Sequence, residues 1–230
     1  MGGTLAPVVL AALAFVGGHF VLSSAPARNV LVARFGERPF RSAYSLIAAA
    51  ALAWLIYAYN RAPRVDIWAE PSWSRVFALV LMFFACLFFV GSFAASNPAL
   101  AGNEARAARA EPGRGIFAIT RHPMLWAFAL WGVAHAVVNG DAASLVFFGA
   151  FSALALGGMA HIDARKRAAS DPAWARVEAV TSALPFRAMI QGRARFRFAD
   201  VGWWRLLGGL ALFAILLHAH RAVIGLSPIP

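Results

Sequence analysis

The sequence predicts an all-α membrane protein, a polytopic bundle of about six transmembrane helices with both termini on the outer side. Three observations lead there. Of 230 residues, 61% are apolar and only 13% charged, against roughly a quarter charged in a soluble domain. The apolar residues gather into runs of about 20, the length that crosses a bilayer. The basic residues collect in every second interval between those runs.

The runs lie near 4–22, 42–59, 75–95, 116–138, 142–161 and 202–219, and the whole chain, 1–230, reads as one transmembrane domain. The first has no basic residue ahead of it and is long enough to span, so it is expected to be an anchor helix rather than a signal peptide. Ala6 stands where a myristoylation signal needs Ser or Thr. The fourth run is interrupted near its start by Arg121, His122 and Pro123. Proline suits a first helical turn, where its missing N–H is no loss. A helix from Pro123 with 115–122 as an interfacial or re-entrant approach is therefore a second reading of that span. Val138-Asn139-Gly140-Asp141 is a turn sequence that joins the fourth and fifth spans as a hairpin.

Orientation follows from the intervals. The stretches 23–41 and 96–122 each carry four Lys or Arg, and 162–201 carries eight, whereas 60–74 carries two and the 139–141 turn none. Positively charged loops stay inside, which places the odd-numbered loops in the cytoplasm and suggests a bacterial inner membrane. The formal charge of +11 is thus read as loops facing an anionic leaflet. No soluble basic surface remains to hold a nucleic acid, and the partners expected are membrane lipid and a lipophilic small molecule. Within 162–201, Pro172 to Ala183 is expected as a short interfacial helix with Trp174 at headgroup level. The single cysteine, Cys86, excludes an intrachain disulfide and CxxC metal sites.

Six histidines, His19, His122, His135, His161, His218 and His220, are the candidates for chemistry. Ionisable groups in spans are expensive and functional by default. No Asp or Glu falls deep inside a span, which disfavours a carboxylate proton relay or carboxylate-bridged metals. Imidazoles in an apolar bundle suit haem iron. His19 follows Gly17-Gly18, where a flat macrocycle can approach the backbone. His135 has Gly132 at i−3, leaving room beside the ring, Trp131 at i−4 and Asn139 at i+4. An interhelical hydrogen bond accounts equally well for each. His122 and His135 are thirteen apart, roughly 220° around a helix, so both cannot face one flat cofactor. His122 and His161 are placed at the inner interface. His218 and His220, two apart, point to different faces and make a poor clamp.

The sequences Gly17-Gly18-His19-Phe20, Arg34-Phe35-Gly36 and Tyr44-Ser45-Leu46 resemble the NnrU family. So do Gly115 to Trp126 with its Thr120-Arg121-His122-Pro123 core, Trp131-Gly132-Val133-Ala134-His135 with Asn139-Gly140-Asp141, and the terminal Gly225 to Pro230. The resemblance covers essentially the whole chain. It implies a link to denitrification, in nitrite and nitric oxide reduction, and kinship with zeta-carotene isomerase, a membrane enzyme that uses haem b to isomerise a cis double bond without net redox change. Carried over, it makes His19 and His135 the iron ligands and Gly132 part of the cofactor site. His122 and His161 remain as alternatives, and Arg121, with Arg28 or Arg41, would meet haem propionates. Gly132 replaces the cysteine that follows Trp in the isomerase block, which removes any chemistry needing that thiolate. The ligand pair also carries a depth conflict: from Pro123, His135 lies ~18 Å outward, while His19 sits near the inner end of its span. Two other readings stand beside this one. An isoprenylcysteine methyltransferase-like enzyme shares the Arg-His-Pro turn, but its paired glutamates are missing from His161-Ile162-Asp163-Ala164-Arg165-Lys166-Arg167. A non-catalytic accessory protein for nitrogen-oxide reductases is the other.

Overall fold

The computed structural model describes residues 3–93, 112–170 and 172–230. Eleven helices are formed among them, and no strand. They are α1 Ala6–Ser23, α2 Ala25–Phe35, α3 Glu37–Asn60, α4 Ser74–Gly91, α5 Ile116–Ile119, α6 Pro123–Asn139, α7 Ala142–Ala168, α8 Pro172–Val180, α9 Arg187–Ile190, α10 Phe198–Val201 and α11 Trp203–Ile224. The protein is a helical membrane bundle.

Five helices (α1, α3, α4, α7 and α11) are long and apolar enough to cross a bilayer, where the sequence suggests six. The sixth, α6, has 17 residues, about 25 Å of helix. It is short because it starts at Pro123. His122, held at φ −120°, ψ 54°, is kept out of the helical region by the proline that follows. The four residues of α5 precede it as a separate turn. The interval 23–41 contains a helix, α2, that the charge count had treated as loop. It has no buried residue. The 95 end of the third expected span, with Arg106 and Arg109 of the loop after it, lies outside the described residues.

The most extensive packing runs α3–α1–α7–α6–α4–α11. Small residues allow close approach along it. A Cβ at Gly132 of α6 would stand 2.3 Å from Ser152 Oγ and 2.6 Å from the Phe148 carbonyl of α7, and one at Gly209 of α11 would stand 2.8 Å from Leu87 of α4. The main core lies between α1, α3 and α7, around Val8, Phe15, Leu55, Phe147 and Phe148. Leu10, Leu13, Leu46, Val80 and Ile215 are exposed outward, an apolar surface fit for lipid chains.

At the end expected to face outward, the 60–74 connection clasps the α6–α7 hairpin. Ile67 and Trp68 donate their N–H groups to the Gly140 carbonyl, at 2.9 and 3.1 Å, and Ala142 N–H donates to Val65 O at 2.9 Å. Trp68 Nε1 donates to Val137 O at 3.1 Å. Gly140 has φ +65°, and a Cβ there would lie 2.5 Å from the Trp68 carbonyl, so glycine is required twice over. Asp141 caps α7 by accepting from Ser144 N at 3.0 Å.

Candidate functional site

Three places gather the residues singled out by sequence. The first is a groove between α1 and α3. His19 lies on α1 one turn after Phe15, and its Nδ1 hydrogen-bonds the Phe15 carbonyl at 2.6 Å. That bond leaves Nε2 as the nitrogen with a free lone pair, the arrangement in which a metal-binding histidine is held. The ring packs edge-on to Phe15 and Tyr44, with centroids 4.7 and 5.7 Å away. Ala14, Gly18, Leu22, Tyr44 and Ile47 line the rest of a shallow groove open to the outside. No neighbouring atom lies within 4 Å of a Cβ built at Gly17 or Gly18. The groove encloses almost no space of its own, about 10 Å³, against ~300–1,000 Å³ for an enclosed small-molecule pocket, so a macrocycle seated here would lie largely in lipid.

The second place is at the opposite end of the bundle. His135 Nδ1 hydrogen-bonds Trp131 O at 2.8 Å. Its ring stacks on Phe148 at 4.9 Å and lies 6.5 Å from His220. Asn139, one turn on, donates to the His135 carbonyl at 2.8 Å rather than to the imidazole. Gly132 leaves no room beside the ring, because α7 occupies that space with Ser152 and Phe148.

His19 and His135 do not converge. The rings of Phe15, Phe151 and Trp131 stand between them in contact. Phe15 meets Phe151 while His135 meets Phe148, which puts the two histidines on the order of 10 Å apart along α7. Two axial imidazoles on one iron need their nitrogens only ~4 Å apart, at metal–nitrogen distances of about 2.0–2.1 Å. The residues present therefore do not bring the His19 and His135 pair to one metal ion.

The third place is polar, buried and largely unforeseen. Asp163, near the end of α7, accepts from Arg121 Nε at 3.1 Å through both oxygens, from Arg121 Nη2, and from His122 Nε2–H at 2.7 Å. Arg121 also donates to Glu178 Oε1 at 3.2 Å, and Glu178 accepts from Arg167 at 2.7 Å. The Arg121 and Asp163 side chains are only 7% and 5% exposed. The chain around them is pinned by Arg121 N–H to Ser182 O at 2.9 Å, Phe186 N–H to Ile119 O at 2.9 Å, and Thr120 Oγ1 and Trp126 Nε1 to Ala183 O, both at 2.8 Å.

This cluster revises several expectations. Arg121 receives its carboxylates from Asp163 and Glu178 within the chain, so the guanidinium is not available to cofactor propionates. Arg28 is likewise paired, with Glu37 at 2.6 Å. His122 is buried rather than interfacial, with its Nε2 committed to Asp163. His161 spends its Nε2 on the Ser23 hydroxyl and carbonyl, at 3.0 and 3.1 Å. Trp174 is 3% exposed, packed inside rather than set at headgroup level. The hub that sequence reasoning passed over, Asp163, left one signal. It is an acid at i−4 from Arg167 in a basic stretch, while Thr120-Arg121-His122-Pro123 supplies a cation that needs a buried partner.

Residues 7–228 match the NnrU protein family. The chain belongs to the NnrU family. Comparison with curated proteins and with solved structures gave no match. The NnrU match takes in all three places at once, from the α1 groove to the Arg-His-Pro cluster and the end of α11. Among the described residues no group of three or more His, Cys, Asp or Glu is placed to hold a metal ion. A metal held by the described residues would thus rest on one or two such ligands.

Proposed function

We propose that this NnrU-family membrane protein is a haem-b protein in which His19, in the α1–α3 groove, would hold the iron. The observation that supports it is the set of His19 features: Nδ1 tied to Phe15 O at 2.6 Å, and a ring lining an apolar groove beside two glycines with open space. Phe15 fixes the tautomer, Phe15 and Tyr44 hold the ring plane, and Gly17 and Gly18 keep the helix surface clear. Haem iron bound there supplies a ligand-binding, redox-tunable centre at membrane depth. A lipophilic polyene reaches the groove laterally from lipid, which accords with non-redox cis–trans isomerisation of the carotene-isomerase kind. A denitrification role, catalytic or accessory, uses the same site, and turnover by purified protein separates the two. A methyltransferase reading finds less support, since the 161–167 stretch supplies Asp163 to the Arg121–His122 cluster rather than a paired-glutamate motif.

The test is spectroscopic. Protein purified in detergent from haem-sufficient cells shows a Soret band, and His19→Ala loses at least nine-tenths of the haem measured as pyridine haemochrome. Colourless parental protein, or full haem retention in His19→Ala, overturns the proposal.

A further inference from the structure

The third histidine of interest at the far end of the bundle is His220. By sequence it was set aside, because an i, i+2 pair on one helix splays. The structure agrees that His218 and His220 diverge, but brings His220 of α11 to His135 of α6. The ring centroids are 6.5 Å apart with planes at 29°. His135 Nδ1 is held by Trp131 O at 2.8 Å and His220 Nδ1 by Leu226 O at 2.8 Å. Both rings are thereby fixed in the tautomer that carries its proton on Nδ1 and offers Nε2 as the lone-pair donor. Among the described residues neither Nε2 has a hydrogen-bond partner.

We propose that His135 and His220 form a metal-ion site at the outer end of the bundle, taking a single late first-row ion, copper before zinc. The ring separation carries the choice. An ion about 2.0–2.1 Å from a ring nitrogen lies roughly 3.1 Å from that ring's centroid. Two imidazoles sharing one ion therefore have centroids ~6.2 Å apart when opposed, but only ~5.1 Å apart at the tetrahedral angle that zinc takes. The observed 6.5 Å, between ring planes stacked at 29°, is closer to the opposed than to the tetrahedral spacing, and the rings turn to aim both Nε2 atoms at one ion. No third His, Cys, Asp or Glu joins the pair among the described residues, so a closed four-ligand zinc site is not built here. Affinity of nitrogen donors along the first row peaks at copper. The remaining positions on the ion are left to solvent or to an incoming ligand. This site is separate from the His19 groove and does not rest on the haem reading.

The experiment uses the full chain in detergent, stripped with chelator and then equilibrated with one equivalent of Cu(II). Metal analysis after dialysis gives close to one copper per chain, and the electron paramagnetic resonance spectrum shows hyperfine coupling to imidazole nitrogen. His220→Gln lowers bound copper at least tenfold while remaining monodisperse, as expected for a half-exposed ring near a helix end. His218→Gln, whose ring is anchored the same way on Ala214 O at 2.8 Å but has no imidazole neighbour, keeps the parental copper. His19→Ala also keeps it, whatever happens to haem. No copper uptake by the parent, parental uptake by His220→Gln, or equal loss in His218→Gln overturns the proposal.

Discussion

Replacing Asp163 by Asn isolates the buried charge cluster. The amide keeps the shape but removes the charge that faces Arg121, with its side chain 7% exposed, and His122, fully buried. Of its carboxylate partners Arg121 then keeps Glu178, 22% exposed and at 3.2 Å, and His122 loses its charged acceptor. Breaking a buried pair by removing one partner costs about 3–5 kcal/mol, because the surviving charge stays desolvated. Glu178→Gln removes a partly solvated partner and costs about 1 kcal/mol or less. The double replacement Arg121→Met with Asp163→Leu removes both charges and recovers most of the loss. Thermal unfolding in detergent, followed by circular dichroism, reads the series, with Asp163→Asn lowering the midpoint by roughly 10 °C. A midpoint within a degree of the parent, or equal losses for Asp163→Asn and Glu178→Gln, refutes the view that Asp163 is the hub.

Gly132→Ala forces α6 away from the Phe148 backbone and destabilises by about 1–3 kcal/mol, whereas Gly149→Ala, with nothing within 4 Å, is neutral; equal effects in the same melts refute the close-packing role. Gly140→Ala loosens the outer clasp, because its φ is +65°, and it speeds proteolysis within 60–74; an unchanged digestion rate counts against it. In a Cys86→Ala background, Ser227→Cys is labelled from outside intact spheroplasts by an impermeant maleimide and Arg195→Cys only after lysis; the opposite pattern reverses the orientation read from charge.

Pro123 and Asn139-Gly140-Asp141 were legible as helix start and hairpin because they act locally. Pro123 alone forbids the helical conformation to the residue before it, and glycine alone accepts the turn at 140. The His19 tautomer bond was unreadable yet follows from an ordinary helical i−4 contact. Asp163 is not legible as the hub in the sequence because its meaning is non-local: its partners lie 41 and 42 residues earlier, and polarity along 162–201 reads as solvation. Trp174 was misread for the same reason, since an interfacial tryptophan and one packed within the fold have the same sequence neighbours. Gly132 was credited with clearing space for a ligand, whereas small residues in membrane helices more often admit another helix. His220 was dismissed by intrahelical spacing, a criterion blind to a partner on α6.

The packing order α3–α1–α7–α6–α4–α11 has a bearing on biogenesis. The ribosome delivers α1, α3 and α4 first, yet α1 and α4 end up on opposite flanks of the α6–α7 hairpin. The early helices hold half-finished faces toward lipid until that hairpin inserts between them as a wedge. A nascent chain halted before residue 123 therefore carries two separate helical units rather than a partial bundle. Completion depends on a late hairpin whose turn, at Gly140, is clasped by the 60–74 connection made before it.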